Sequence, residues 1–293
     1  MNPSTGKDSQ STQMQLGHST RRTLLKTALG VGYAACLPLP AQTAIRTSGE
    51  NLLHGEVLID VNGFQMPAYR SMPAGRSQYP VVLVVSEIFG VHEYIADITR
   101  RLAHQGYMAI APELMKRQGD PGSYADMGKL IAEVVSKVPD AQVMSDLDAT
   151  VAWASRNGGD TTKLGITGFC WGGRITWLYA AHQPQVKVAV AWYGKLVGKN
   201  SSLTPFHPLD IANDLKAPVL GLYASADTGI PMESVSNMQD QLAKGQKGFT
   251  SNIHVYQDAP HAFHADYRSS YRQAQAEDGW QRMLQWFLRH GVT

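Results

Sequence analysis

The chain has 293 residues, of which 43% are hydrophobic and 9% aromatic, so it can build the core of one large or two small domains. The net charge is only +2, which gives no reason to expect nucleic acid or another polyanion as a partner. The first 44 residues carry +3 of this charge, and the remainder therefore carries −1.

The segment 1–44 has the order of an export signal. Arg21 and Arg22 precede a mildly apolar run at 27–37, which is too short to span a membrane, and prolines and small residues follow. The segment resembles a twin-arginine signal, so we expect the twin-arginine export machinery to deliver the protein to the periplasm. An amphipathic basic helix or a disordered tail is the alternative interpretation.

The chain contains two cysteines, Cys36 and Cys170. The sequence Tyr33-Ala-Ala-Cys36 has weak similarity to a lipoprotein processing site, but Tyr33 replaces the expected aliphatic residue, which disfavours a lipid anchor. If the signal is removed, Cys170 is the one thiol of the mature protein. A lone thiol in an oxidising compartment is exposed to damage, so it is either retained for chemistry or buried and inert.

The apolar pattern of 50–293 alternates between strand and helix periods. Strands are predicted at 56–70 (a hairpin around Asn62-Gly63), 79–85, 107–112, 163–167, 186–192, 218–224 and 252–256. Helices are predicted at 93–104, 122–138, 139–154, from about 172, 232–242 and 271–289, and 193–215 is predicted to be irregular. This alternation predicts one α/β domain with a mostly parallel sheet, helices on both faces and an amino-terminal antiparallel hairpin.

The segment 163–174 places a candidate nucleophile between glycines. Its predicted strand ends near Gly168, Cys170 follows, and a helical pattern begins near Gly172. This arrangement is typical of a nucleophile elbow, with cysteine in place of the usual serine. The glycines leave room where strand and helix approach closely. A buried structural cysteine beside an ordinary glycine turn is the alternative.

Two further reactive side chains follow predicted strands. Asp227 comes after the strand at 218–224, and His261 comes after the strand at 252–256. Nucleophile, acid and histidine thus occur in the chain order of α/β-hydrolases. A thiol is mostly protonated at neutral pH, so a histidine is needed to form the thiolate and a carboxylate to orient that histidine. We therefore predict a triad of Cys170, Asp227 and His261 at the carboxyl edge of the sheet.

Other residues in the same segments compete for these roles. Asp227 also fits a helix cap and His261 a loop histidine, while His264 is a rival base and Asp258 and Asp266 are rival acids. His261, His264 and Asp266 are also close enough in sequence to suggest a metal site, although their spacing matches no zinc pattern. The position directly after a strand favours Asp227 and His261.

Glu87 occupies a fourth strand end, in the sequence Ser86-Glu-Ile-Phe-Gly90 after the strand at 79–85. An α/β-hydrolase places its second oxyanion-hole N–H at this point, so a carboxylate here is unusual for a plain esterase. A surface glutamate before a helix is the simpler interpretation.

Three motifs together resemble the dienelactone hydrolase family: Ser86–Val91, Gly168–Gly173 and Pro260–Phe263. The resemblance extends from about Gly55 to the carboxyl end and implies a single-domain α/β-hydrolase fold without a large lid. It implies that Cys170, Asp227 and His261 form the triad and that Glu87 contacts the resting thiol and helps to form the thiolate. It also implies oxyanion donors at the backbone N–H groups of Ile88 and Trp171, and no metal or organic cofactor.

One position departs from the family pattern. Members that act on muconate-type lactones bind the substrate carboxylate with arginines, one of them four residues after the histidine, where this chain has Ala265. We therefore expect neutral esters and lactones to be processed at least as well as anionic ones. A strong preference for anionic lactones would identify Arg268 or Arg117 as a replacement cation. The aromatic residues expected to line the pocket are Phe89, Trp171, Tyr193 and Phe206.

The sequence as a whole predicts a hydrolase of small-molecule esters or lactones that acts through a cysteine thioester. A thioesterase or peptidase on the same fold is an alternative, because fold does not determine substrate. A binding protein that retains the elbow only as architecture is a second alternative. No stable membrane span is predicted.

Overall fold

The computed structural model describes residue 1 and residues 44–75, 78–245 and 250–293. The predicted export signal and Cys36 therefore lie outside the described residues. The part of the chain that the structure describes contains no helix long and apolar enough to cross a membrane.

An eight-stranded sheet is the framework of the fold, with the strand order β1-β2-β4-β3-β5-β6-β7-β8. The strands are β1 (Leu52–Val61), β2 (Phe64–Pro73), β3 (Tyr79–Val85), β4 (Met108–Pro112), β5 (Gly159–Phe169), β6 (Val186–Trp192), β7 (Val219–Ala224) and β8 (Asn252–Tyr256). The first two strands form an antiparallel hairpin, β2 pairs antiparallel with β4, and all the remaining pairs are parallel.

The hairpin forms where the sequence predicts it. Asn62 and Gly63 both have positive φ, 53° and 89°, which matches the backbone that a two-residue hairpin turn requires. Val61 pairs with Phe64 across this turn. The prediction of an amino-terminal antiparallel hairpin is confirmed, although both strands extend beyond the predicted limits.

Within the described ranges, six helices pack around the sheet: α1 (Glu93–His104), α2 (Met127–Glu133), α3 (Asp140–Arg156), α4 (Trp171–His182), α5 (Met232–Gly245) and α6 (Gln273–Arg289). Short 3-10 turns occur at Pro121–Ser123, Val135–Lys137 and Ala212–Asp214. Strands β3, β4 and β7 are buried along nearly their whole length, as expected for parallel strands covered by helices.

The prediction of one helix over 122–138 is wrong. The segment contains two 3-10 turns and the short α2, which begins where the Asp126 side chain accepts a hydrogen bond from the Lys129 N–H. Leu130 is the one buried residue of α2, so the apolar residues of the segment do not form a continuous stripe along a single helix.

Candidate active site

Cys170 lies on a sharp turn between β5 and α4. Its backbone has φ 55° and ψ −113°, outside the usual regions for a residue with a side chain, and its N–H donates to the Trp192 carbonyl at 3.0 Å. Strain of this kind occurs mainly at functional sites. The thiol side chain is partly exposed. The structure thus forms the predicted elbow, with β5 continuing two residues beyond its predicted end.

The elbow depends on close backbone contacts at glycines. A methyl group at Gly168 would lie 2.3 Å from the Gly172 carbonyl oxygen, and one at Gly172 would lie 2.3 Å from the Val85 oxygen. Further along α4, a methyl group at Gly173 would lie 2.9 Å from the Gly194 backbone, and one at Gly194 only 2.3 Å from Gly173. No real Cβ approaches backbone so closely, so glycine is required where the helix passes β3 and the segment after β6.

Asp227 and His261 meet beyond the ends of β7 and β8. Asp227 Oδ2 lies 2.5 Å from His261 Nδ1, and the second carboxylate oxygen accepts the Gly229 N–H at 2.8 Å. The Asp227 side chain is only 1% exposed, whereas that of His261 is 34% exposed. Because Nδ1 is bound to the carboxylate, Nε2 of the histidine is left free for the nucleophile.

The ionisation of His261 links it to both partners. Burial disfavours the charged ring, but the hydrogen-bonded Asp227 carboxylate and the neighbouring Cys170 sulfur raise the pKa of His261 to about 10. At neutral pH the ring is therefore an imidazolium between a carboxylate and the sulfur. The structure brings together the three residues that the strand ends predict.

The rival acids and bases have other partners. His264 Nδ1 lies 2.7 Å from the Tyr94 hydroxyl, and burial together with the charge of Arg101 places the pKa of His264 well below its ordinary value. Asp266 is paired with Arg101 at 2.5 Å. Asp258 is exposed. Among the residues that the structure describes, no group of three or more His, Cys, Asp or Glu could hold a metal ion.

The two predicted oxyanion donors flank Cys170 in the fold. Trp171 is the first residue of α4, where backbone N–H groups have no partner within the helix. Ile88 lies in the loop that follows β3, and β3 pairs with β5 so that Val85 is opposite Gly168. The loop and the elbow are therefore adjacent at the carboxyl edge of the sheet.

Glu87 is 1% exposed and lies among polar rings. Its Oε2 accepts the Tyr267 hydroxyl at 2.5 Å and lies 3.8 Å from His92 Nε2, a contact that is electrostatic rather than a hydrogen bond. Burial opposes its ionisation, but the His92 ring, the charge of Arg268 and the Tyr267 hydroxyl together lower the pKa of Glu87. Glu87 is therefore a buried carboxylate at neutral pH, not the surface residue of the simpler interpretation.

Among the described residues, no hydrogen bond joins Glu87 to the Cys170 thiol. Within the described part of the chain, Oε1 of Glu87 has no hydrogen-bond partner, and the thiol interacts with His261 instead. The unpartnered oxygen leaves Glu87 one acceptor site for a group that enters the pocket.

Arg268 is a cation close to Glu87 and the nucleophile. Its guanidinium carbon lies 5.0 Å from the centre of the Phe89 ring and 5.7 Å from that of Tyr267. Burial lowers its pKa, but the charges of Glu87 and other pocket groups, Cys170 among them, outweigh this and raise it. No direct ion pair of Arg268 occurs within the described ranges.

Two other positions, residues 265 and 117, have different surroundings. Ala265 is completely buried, so a side chain at this position points into the core. Arg117 pairs with Asp146 at 2.6 Å and lies over the Phe64 ring at 4.1 Å. Arg268 is thus the arginine whose charge acts on the nucleophile and on Glu87.

The remaining predicted pocket residues fall into two groups. Tyr193 has a positive φ of 38°, is fully buried, and packs against the His261 ring at 5.2 Å between centroids. Its hydroxyl has no hydrogen-bond partner among the described residues. Phe206 is 56% exposed, and its carbonyl accepts a hydrogen bond from Arg174. No ring contact joins Phe206 to the triad in the described segments.

His92 and Tyr267 are site residues that the sequence analysis missed. Both lie near the recognised motifs: His92 directly follows the Ser86–Val91 motif, and Tyr267 is six residues beyond His261. Their contacts with Glu87 join chain segments as far as 180 residues apart. The only sequence signal for these two residues was their position shortly after a recognised motif. Aromatic rings at such positions are more often part of the core.

Comparison with known proteins supports the same family as the motifs. The model of the dienelactone hydrolase family matches residues 66–291. A Methylorubrum extorquens protein described as "Putative carboxymethylenebutenolidase" is 56% identical over 276 residues, 94% of this chain and 94% of that protein. A Salmonella typhimurium protein of the same description is 57% identical over 261 residues, which cover 89% of this chain and 96% of that protein.

A solved structure has the same fold. The crystal structure from Klebsiella pneumoniae subsp. pneumoniae described as "Putative Dienelactone Hydrolase" is 58% identical, with a TM-score of 0.79. The match covers 81% of this chain and 98% of that one. The sheet is accordingly that of an α/β-hydrolase. Family match, sequence identity and fold agree: the chain belongs to the dienelactone hydrolase family and is a hydrolase of lactone or carboxylic ester bonds.

Proposed function

We propose that the protein hydrolyses lactones or carboxylic esters through a thioester on Cys170, with His261 and Asp227 completing the triad. The observation that carries this proposal is the position of His261, which interacts with the buried Asp227 carboxylate on one side and with the Cys170 sulfur on the other. A carboxylate that fixes the histidine and a nucleophile within its reach are the requirements for covalent acyl transfer.

The first half of the reaction forms the thioester. The Cys170 thiolate attacks the carbonyl carbon, and the electron pair moves to the oxygen, which accepts hydrogen bonds from the Trp171 and Ile88 N–H groups. The intermediate collapses, the bond to the alcohol oxygen breaks, and the His261 imidazolium gives that oxygen its proton. With a pKa raised to about 10, His261 carries this proton at neutral pH.

The second half releases the acid. The now neutral His261 takes a proton from water, and the resulting hydroxide attacks the thioester carbon. Collapse of this second intermediate breaks the carbon–sulfur bond and restores the thiolate and the imidazolium. For a lactone, alcohol and acid remain in one product molecule, so one water is consumed and the ring is opened.

Glu87 and Arg268 are proposed to adapt the site to its substrate. Glu87 is an ionised, buried carboxylate with one unpartnered oxygen, so it can accept a proton or a hydrogen bond during thiolate formation. Arg268 places a positive charge over the Phe89 ring at the pocket, where it can receive a carboxylate of the substrate.

The triad is tested with Cys170→Ala and Cys170→Ser on a panel of a neutral lactone, an aryl ester and a peptide. We expect the alanine variant to lose turnover while its melting temperature stays within a few degrees, because the partly exposed thiol contributes little packing. Serine should retain only a trace, since a hydroxyl is much harder to deprotonate. Wild-type turnover in purified Cys170→Ala protein would exclude Cys170 as the nucleophile.

We also propose that residues 1–44 export the protein through the twin-arginine machinery. The support is the order of charge, apolar run and small residues around Arg21 and Arg22. Replacing both arginines by lysine should retain the protein in the cytoplasm as a longer precursor. Unchanged periplasmic delivery in a cell fractionation would contradict the proposal.

A further inference from the structure

A buried carboxyl group lies behind the active-site loop and has no place in the reaction described above. Glu113 directly follows β4 and is 6% exposed. Its Oε1 accepts the Val91 N–H at 3.2 Å, while Oε2 has no hydrogen-bond partner in the part of the chain that the structure describes. Buried polar atoms are nearly always paired, so an unpaired carboxyl oxygen beside this loop requires a reason.

The loop in question, residues 86–92, joins β3 to α1 and carries both Glu87 and Ile88. It reverses direction at Gly90, where φ is +72° and the His92 N–H donates to the Gly90 carbonyl at 3.1 Å. A methyl group at Gly90 would lie 2.9 Å from Glu113 Oε2. The carboxyl group of Glu113 therefore occupies the space that a side chain at Gly90 would fill. It also accepts a hydrogen bond from the N–H of the next residue, Val91.

We propose that Glu113 is a positioning residue that holds the 86–92 loop, so that the Ile88 N–H and the Glu87 carboxylate keep their places in the active site. Glu113 contacts the loop at Gly90 and Val91 and takes no part in the bond changes. The proposal rests on the proposed hydrolysis, because the loop matters for turnover only if its N–H stabilises an oxyanion. A loop displaced by about 1 Å loses much of that stabilisation while substrate binding changes less.

The ionisation state of Glu113 determines how strongly it holds the 86–92 loop. Burial raises the pKa of Glu113 to about 7, although the Val91 hydrogen bond and the charge of Lys116 act in the opposite direction. Asp120, which pairs with Lys116 at 3.3 Å, and the exposed Glu56 on β1 raise it further. An ionised carboxylate accepts an N–H bond more strongly than a neutral carboxyl group does, so the loop should be held best above pH 7.

The first experiment compares Glu113→Ala and Glu113→Gln with the wild type at pH 8, using a neutral lactone. Glu113→Ala should lower kcat about ten- to a hundredfold with KM changed less than threefold. Glu113→Gln should stay within about threefold of the wild type, since its amide oxygen can accept the Val91 N–H. Thermal unfolding of each variant confirms that the enzyme assayed is folded. Wild-type kcat in Glu113→Ala, or equal losses in both variants, would overturn the proposal.

The second experiment follows kcat between pH 5.5 and 9. The wild type should show a step of a few fold near pH 7 that is absent from Glu113→Gln, whatever the fate of Glu113→Ala. Lys116→Met should move the step to higher pH and Glu56→Gln to lower pH, and both should keep the wild-type plateau. A step that persists in Glu113→Gln would overturn the proposal. If the Cys170→Ala variant turned over substrate as fast as the wild type, the hydrolytic mechanism itself would be contradicted. That result is separate from the Glu113 comparisons.

Discussion

Cys170 illustrates how a single residue can be assigned from its neighbours. Its backbone at φ 55° is unfavourable for a residue with a side chain, and glycine would be the ordinary solution at such a turn. A cysteine retained in a strained conformation, with its thiol beside His261, is explained by chemistry rather than by packing. The spacing of Gly168 and Gly172 around it made this residue predictable from sequence.

Other residues of the site could not be predicted in this way. Tyr267 contacts Glu87 from 180 residues away, and Glu113, which follows β4, contacts Val91 in the loop beyond the neighbouring β3. No local pattern encodes such contacts, because they depend on how the loops pack after the sheet has formed. Arg268 was named as a candidate cation, but only the packing of its loop over Phe89 distinguishes it from Arg117.

Arg268 gives a test of substrate charge. In Arg268→Met, kcat/KM for a lactone that carries a carboxylate should fall about tenfold or more, while a neutral lactone of the same ring should change less than twofold. The reason is that an unpaired carboxylate in a partly buried pocket is penalised. Arg272 is an exposed arginine of the same loop, so Arg272→Met is the matched control and should change neither kcat/KM value.

The result also decides between two roles of this arginine. Equal losses for both lactones would indicate that Arg268 acts by stabilising the Glu87 carboxylate and not by binding substrate. A wild-type enzyme that prefers the neutral lactone would support the expectation based on Ala265.

At the scale of elements, strands and helices with a clear apolar pattern and clear ends were predictable, and the irregular segment 122–138 was not. The predicted bounds of β3, β6, β8 and α1 agree with the structure residue for residue, because each is a buried run or an amphipathic stripe with clear ends. The region 122–138 failed because its apolar residues only partly face the core: Ile131 is 44% exposed beside the buried Leu130.

The elbow gives a prediction at this scale. Gly172→Ala should destabilise the protein by about 2–4 kcal/mol or prevent folding, since the new methyl group would meet the carbonyl oxygens of Val85 and Ser86 at 2.3 and 2.6 Å. Gly165→Ala on β5 is the control, because its methyl group would make ordinary contacts of 3.4 Å or more.

Urea unfolding of the two alanine variants measures the difference. The free energy of unfolding of the Gly165 variant should lie within about 1 kcal/mol of the wild-type value. Similar stability of both variants would show that β3 can move away from α4, and the elbow would then be less rigid than its contacts indicate.

At the scale of the whole molecule, the sheet order assembles the site. Because β3 and β6 both pair with β5, the Glu87 loop lies on one side of the nucleophile and the segment with Tyr193 on the other. Alternating strands and helices predict a parallel sheet but leave the order of the strands open. That order follows from the family to which the chain belongs, not from any local pattern.

The buried Glu113 also affects global stability. Its pKa of about 7 in the folded protein lies above the ordinary 4.5, so folding is favoured by protonation. This contribution is complete below about pH 4.5 and is lost as the pH rises through 7. Between pH 5 and 9 the free energy of unfolding of the wild type should therefore fall by up to about 3 kcal/mol relative to that of Glu113→Gln.

Denaturant unfolding of both proteins at several pH values provides the measurement. Glu50→Gln is a useful control, because this exposed carboxylate undergoes the same chemical change and is not among the charges that act on Glu113. A constant difference between the wild type and Glu113→Gln across this range would mean that Glu113 ionises in the folded protein as it does in water.

The four glycines around the elbow separate two kinds of evolutionary constraint. Gly168, Gly172, Gly173 and Gly194 each face backbone atoms that no side chain can displace cheaply. A mutant library screened only for soluble, folded protein should therefore lose nearly every substitution at these positions, while Cys170 should be replaced, most often by glycine, without loss of the fold. Screening the same library for turnover should restore the cysteine. Retention of these glycines would thus record the architecture of the fold, whereas retention of the cysteine between them would record its catalytic use.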